Sequence, residues 1–300
     1  MLDHIPRAPE ITGRVARYVD PVSRTWEDAT FVPAGEGELF CVFHHPLEAP
    51  RGNVIICPSI FTEELKIYGA QVMAARAFAA AGCAVARFHY RGTGHSSGVT
   101  DDLTADTMLD DVATVVARVK AQDDAAPLFF CGGRFGGLIA GLSASVHPGA
   151  GVMLWEPAMD GQSYFRDIFR ASQLSALAGG ASALTVTQAV ERLRTAGVLD
   201  TLGYPIHRAL YDSAAGKSLM QLAGAGARRV LVVQLSRRRE LKPDFKRLQS
   251  ALTAGGAAVE TELVEGEGAW AFVDSPMPSP GLIAEVSLTW LTRTLSNHTS

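Results

Sequence analysis

The chain has 300 residues, 47% hydrophobic and 19% charged, with a formal net charge of −4. That suits one large α/β domain or two small ones, with ample length for a core, and the lack of a basic excess argues against a nucleic-acid partner. Four cysteines, Cys41, Cys57, Cys83 and Cys131, sit in or beside apolar runs with no C-x-x-C pair, as buried free thiols in a reducing compartment do.

About the first 25 residues are polar and irregular, and "MLDHIPRAPE" lacks the apolar core of a signal segment. No uninterrupted apolar run approaches a membrane span. A soluble, cytoplasmic protein without a membrane partner is therefore expected. "ELFCVFHHP" (38–46) predicts a strand, and "NVIICP" (53–58) a strand buried on both faces. "KIYGAQVMAARAFAAAG" (66–82) has helical spacing and a stop at Gly82. "AVARFHY" (84–90) predicts the next strand, "RGTGHSSG" (91–98) a loop, and "ADTMLDDVATVVARVK" (105–120) an amphipathic helix. A strand at 127–131 leads into "CGGRFGG" (131–137) and a helix to about Ser145. "GVMLWEP" (151–157) is another buried strand.

From 158 to 225 the rhythm breaks into helical pieces and glycine clusters without a good strand. It resumes with "RVLVVQLS" (229–236), a helix over 243–254, the strand "AVETELVEG" (258–266) and a helix over 281–295. The alternation predicts an α/β fold with a mostly parallel sheet and helices on both faces. The expected division is a core of 1–157 plus 226–300, with 158–225 as a helical cap insertion. Such a cap would cover the C-terminal sheet edge, where ligands of open α/β sheets bind.

Three features resemble the α/β-hydrolase superfamily. "HYRGTGHSSG" (89–98) is similar to its D-x-R-G-x-G-x-S-x-G loop, "GGRFGG" (132–137) has the glycine frame of its nucleophile elbow, and the insertion follows the sixth strand. The stretch from Pro58 to Gly98 more narrowly resembles the exosortase-A-system-associated hydrolase 2 branch, which shares a P-x(3,4)-E-E run and an arginine-bearing elbow. The resemblance implies a Ser, Asp or Cys nucleophile at the elbow, an acid after the strand ending near Ser236, and a histidine after the last strand. This chain has Arg134 at the elbow, Glu240 as the nearest acid, and no histidine in "EGEGAWAFVD" (265–274); the only later one is His298. A guanidinium is always protonated and is no nucleophile. Covalent triad hydrolysis is therefore not expected, unless Ser59 or Cys131 acts as a displaced nucleophile.

An arginine beside an oxyanion hole would make an anion site for a carboxylate or a developing enolate, with Phe135 and the 59–63 loop supplying N–H groups. Alternatively it is an internal ion-pair partner of Glu63, Glu64 or Glu156. Glu63, Arg134 and Glu156 fall at three strand ends on one face, as an active site of this fold would. Glu63 or Glu64, raised by burial, is the preferred base. His95 is a further proton-transfer candidate, while His89, His44 and His45 are read as structural or solvent-facing. His207 could face the cleft from the cap. Ser59, Phe135, Trp155, Tyr164 and Trp270 are candidate pocket residues. No metal-binding spacing and no G-x-G-x-x-G occurs, so no metal or cofactor is expected.

Three functions follow. The favoured one is elimination or related lyase chemistry on an acyl or carboxylate-bearing small molecule, free or carrier-bound. The others are a hydrolase or thioesterase with relocated residues, for instance a glutamate activating water, and a non-catalytic ligand-binding protein. A homodimer through the helical cap is compatible with the composition.

Overall fold

The computed structural model describes residues 10–12, 15–20, 22–224, 229–237, 240–266 and 280–297. Strands β1 (Glu10–Thr12), β2 (Val15–Asp20), β3 (Thr25–Ala34) and β4 (Gly37–Pro46) form an antiparallel meander. The irregular N-terminus expected from the sequence is thus replaced by pairing from Glu10 onward. The reason lies in cross-strand partners that alternation does not reveal. Arg17 forks onto Asp28 at 2.7 and 3.2 Å across β2 and β3, and Trp26 stacks on His45 across β3 and β4 at 3.7 Å.

The α/β part follows as β5 (Gly52–Cys57), α1 (Phe61–Ala80), β6 (Cys83–Phe88), α2 (Ala105–Lys120), β7 (Leu128–Gly133), α3 (Arg134–Ser145) and β8 (Gly151–Trp155). An inserted stretch holds α4 (Gly161–Ala178), α5 (Val186–Ala196), β9 (Val198–Thr201), β10 (Tyr204–His207) and α6 (Arg208–Ala215). Then come β11 (Arg229–Leu235), α7 (Pro243–Ala254), β12 (Ala258–Val264) and α8 (Pro280–Ser296). One ten-stranded sheet has the order β1-β2-β3-β4-β6-β5-β7-β8-β11-β12. From β6 to β12 every neighbouring pair is parallel. This is the mostly parallel α/β-hydrolase arrangement expected.

Every residue of β5, β6 and β8 is buried, because both sheet faces are covered. On one face α1 and α8 pack through Ile67, Phe78, Ile283 and Trp290. On the other lie Val112 and Val115 of α2, Leu138 of α3 and Leu248 of α7. The inserted stretch adds Phe165, Phe169, Leu193 and Tyr211 to this second cluster. It also contains a hairpin that the sequence did not suggest. Leu202 (φ 57°) and Gly203 (φ 83°) join β9 to β10 as two left-handed residues, the turn that matches strand twist. Its "LG" lacks the common Asn-Gly or Asp-Gly signal.

The chain leaves β5 toward β6 on one side of the sheet and leaves β7 toward β8 on the other. The carboxyl ends of β5 and β7, which are neighbours, therefore open a crevice at a topological switch point. Among the described residues no helix is long and apolar enough to cross a membrane.

Candidate functional site

The expected helix from 66 begins at Phe61 in the structure. Its first turn carries Glu63 and Glu64, whose carboxyls suit the positive helix end. That turn lies outside the apolar periodicity, which starts at Ile67. Glu64 Oε2 accepts the Ser59 backbone N–H at 2.6 Å and Gln71 Nε2 at 3.0 Å. Burial pushes the Glu64 carboxyl up to about 8, against those two hydrogen bonds and Arg87.

Arg134 occupies the tip of the turn from β7 to α3, with φ 53°. A non-glycine residue there costs about 1–2 kcal/mol and persists only when its surroundings hold it. The glycine frame explains the tightness. A Cβ on Gly136 would lie 2.4 Å from the Cys57 carbonyl oxygen, and one on Gly132 would lie 2.3 Å from that of Gly136.

The arginine side chain turns onto α1. Its Nε donates to Glu63 Oε1 at 3.0 Å and its Nη1 to the Glu156 carbonyl at 3.1 Å. Glu63 Oε2 also accepts Ser59 Oγ at 3.1 Å and Tyr164 OH at 3.0 Å. The buried carboxylate thus has three donors. Burial opposes the Arg134 charge, but Glu63, Tyr164 and Glu156 outweigh it and raise its pKa. Burial, then the Glu63 charge, holds the Tyr164 phenol well above its ordinary value, so it stays a donor. Ser59, Glu63, Arg134 and Tyr164 are therefore one satisfied network joining α1, the elbow and the inserted α4.

A cavity of about 570 Å³ opens beside this network, within the size range of small-molecule sites. Ser59, Phe61 and Glu64 line one side, His89, Thr93 and His95 another, and Tyr204 and Leu210 of the inserted stretch a third. The His95 backbone N–H donates to His89 Nδ1 at 3.0 Å, which leaves the His89 ring proton on Nε2. Burial, then His95 and Arg87, lowers His89 to about 4, so it is neutral at ordinary pH.

Of the sequence candidates, Ser59, Glu64 and His95 line this cavity and the others do not. Arg134 is not on its wall, and its side chain is 20% exposed. The Glu156 carboxylate, expected to converge on Arg134, takes Lys242 Nζ at 2.8 Å and the Leu235 N–H at 3.2 Å; Glu156 instead offers Arg134 its carbonyl. Trp155 is no pocket wall. It lies in the core on the α1–α8 face and donates Nε1 to Ser287 Oγ at 2.9 Å. Phe135 and Tyr164 pack on each other at 4.8 Å as core. His207 ties β10 to the loop after β6, with Nδ1 2.9 Å from Asp101 and Nε2 3.3 Å from Thr100 Oγ1.

Cys131 is fully buried and burial raises its thiol well above the ordinary value, which removes it as a displaced nucleophile. Glu240 is exposed and pairs with Lys246 at 2.9 Å. Trp270, His298 and most of the stretch after β12 lie outside the described residues. Sequence reasoning missed Tyr68, Thr93, Tyr204 and Leu210 as cavity wall. Tyr68 was within reach, since Glu64, Tyr68 and Gln71 lie at i, i+4 and i+7 on one helix face. Tyr204 and Leu210 depended on the unforeseen hairpin.

The fold matches solved structures across nearly the whole chain. Ferulic acid-bound Est1E from Butyrivibrio proteoclasticus superposes with TM-score 0.64 at 16% identity, covering 89% of this chain and 100% of its own. Proline iminopeptidase from Mycobacterium smegmatis gives 0.56 at 14%, covering 91% and 100%. The thioesterase domain from the curacin biosynthetic pathway gives 0.53 at 16%, covering 90% and 99%. No curated protein matches the chain. The model of one sequence family, described as serine aminopeptidase, S33, matches residues 48–201, more than half of the chain. By that span the chain belongs to this family, and its sheet has the α/β-hydrolase fold.

Proposed function

We propose that the chain is a hydrolase of apolar acyl esters or thioesters, free or carrier-bound, in which Glu64 activates water directly. The observation that carries this reading is the position of Glu64. Glu64 lines the 570 Å³ cavity, and one of its carboxyl oxygens is fixed by Ser59 and Gln71. A carboxyl held near 8 is a far stronger base, once ionised, than an ordinary glutamate. Glu63 suits that task poorly, because Arg134, Ser59 and Tyr164 all hold its charge.

In the step envisaged, ionised Glu64 takes a proton from water as the water oxygen bonds to the acyl carbon. The tetrahedral intermediate then expels an alkoxide or thiolate, which recovers the proton from Glu64. Structural neighbours that include a ferulic acid-binding protein and a thioesterase domain suit an acyl substrate. The elimination reading loses its main support, since Arg134 is engaged by Glu63 and the Glu156 carbonyl. On the Pro58–Glu64 stretch and the arginine elbow we place the chain beside the exosortase-A-associated hydrolase 2 branch. We read the inserted stretch as its cap.

The test is turnover of p-nitrophenyl butyrate and butyryl-CoA by the wild type and Glu64→Gln. The variant should lose roughly 100-fold or more in kcat, and the wild-type rate should climb as pH passes about 8. Undiminished turnover by Glu64→Gln would overturn the reading. A second reading has Ser59 as nucleophile, favoured by its place on the cavity wall and its 3.1 Å hydrogen bond to Glu63. Fluorophosphonate labelling that disappears in Ser59→Ala would select it.

A further inference from the structure

We propose that Arg87 forms the carboxylate-binding end of this cavity, so that its ligand carries one carboxylate on an apolar body. The proposal rests on reading the cavity as the substrate pocket and names the substrate class. Arg87 is only 8% exposed, near the end of β6. Its Nε donates to His44 Nε2 at 3.0 Å, and Tyr68 lies under its guanidinium at 5.4 Å. Its two terminal nitrogens have no hydrogen-bond partner among the described residues. A buried guanidinium ordinarily has a carboxylate against it, and none lies within ion-pair distance of Arg87 among the described residues.

The surrounding charges do not supply one. His44 accepts from Arg87, so its proton sits on Nδ1, which lies 3.3 Å from Glu27 Oε1 without hydrogen-bond geometry. Burial lowers the His44 pKa and keeps it neutral. Glu27 is already paired with Arg76 at 2.6 Å. Burial raises Glu64 to about 8 against the pull of Arg87, which favours its neutral form at pH 7, and burial lowers His89 to about 4, which favours its neutral form too. The cluster of Glu27, Arg76, His44, Arg87, Glu64 and His89 therefore holds one positive charge in excess.

Arg87 borders a small void of about 10 Å³, whose wall shares Glu64, Tyr68 and His89 with the large cavity. That is room for a single water-sized group. One carboxylate oxygen fits there, with the apolar chain lying in the larger space. A tetrahedral phosphate or phosphonate does not. A carboxylate so placed would form charge-assisted hydrogen bonds with a guanidinium that is largely shielded from solvent.

The experiment is calorimetric titration at pH 7 with octanoate, octanamide and octylphosphonate. Octanoate should bind at least tenfold more tightly than either of the others, and Arg87→Met should abolish that preference. Equal affinity for octanoate and octanamide in the wild type overturns the proposal without recourse to a variant, as does a folded Arg87→Met that keeps the preference. Tighter octylphosphonate binding overturns the carboxylate assignment. Ester turnover without an octanoate preference sinks this inference alone. An Arg87-dependent octanoate preference without turnover of any ester leaves it standing and sinks the hydrolase reading.

Discussion

Replacing Arg134 with methionine would strip the Glu63 carboxylate of the one cationic partner it has among the described residues, while leaving the Ser59 and Tyr164 hydroxyls as donors. Breaking a buried ion pair from one side costs about 3–5 kcal/mol. Here the arginine side chain is 20% exposed, so water screens part of the interaction, and two donors remain. The low end, about 3 kcal/mol, is expected. Glu63→Gln should cost about 2 kcal/mol, since the arginine left behind can reach water. In the double variant the amide oxygen still accepts from Tyr164 and Ser59 and no charge is stranded. The two losses should then fall short of additivity by about 2 kcal/mol. Urea denaturation followed by tryptophan fluorescence at pH 7 measures all three. A coupling below about 0.5 kcal/mol would refute the pair as a buried, mutually dependent unit. The backbone offers an internal control. At φ 53°, Arg134→Gly should be more stable than Arg134→Ala by roughly 1 kcal/mol, the reverse of the order inside an ordinary helix.

Two further outcomes follow from the same site. Burial pushes the Glu64 carboxyl up to about 8 in the folded protein, against 4.5 for an unburied glutamate. The folded state therefore holds a proton that the unfolded chain gives up across that window, and stability is complete below the lower value and falls as pH rises toward 8. Glu64→Gln should flatten the decline, gaining a few kcal/mol at most over the wild type at pH 8; parallel melting curves across pH 5 to 8 would contradict the burial of this carboxyl. Gly136→Ala would press a methyl against the backbone oxygens of Cys57 and Pro58, at 2.4 and 2.5 Å. Neither oxygen can step aside, so a loss of about 3 kcal/mol or more is expected, read as a fall in Tm, and an unchanged Tm would show that the elbow is looser than described.

Much of the fold was legible because its signals are local. The runs 53–58 and 151–157 are apolar throughout, as strands buried on both faces must be. The helix over 105–120 has an apolar stripe and a capping threonine, and its bounds agree with the structure. The glycine elbow was equally plain, since close backbone approach admits no Cβ at Gly132 or Gly136. By contrast, β2 and β3 are half-exposed and hold together through partners on other strands, which no short window contains.

The site divides along the same line. Sequence alone determined that an arginine stands at the tip of a strand-to-helix turn and that Glu63 and Glu64 come near it, though it read them as loop where the structure has the first turn of α1. Only tertiary structure decided that Glu63 takes the arginine while Glu64, its neighbour, turns to Ser59 and the cavity. Adjacent helix residues point about 100° apart, so which one meets Arg134 depends on how α1 is rotated against the sheet. Arg87 follows the same rule. As an arginine in an apolar strand it gives no hint of its environment. What leaves its terminal nitrogens open is the meeting of β4, β6 and α1, which brings up a neutral histidine and a tyrosine but no carboxylate within ion-pair distance among the described residues.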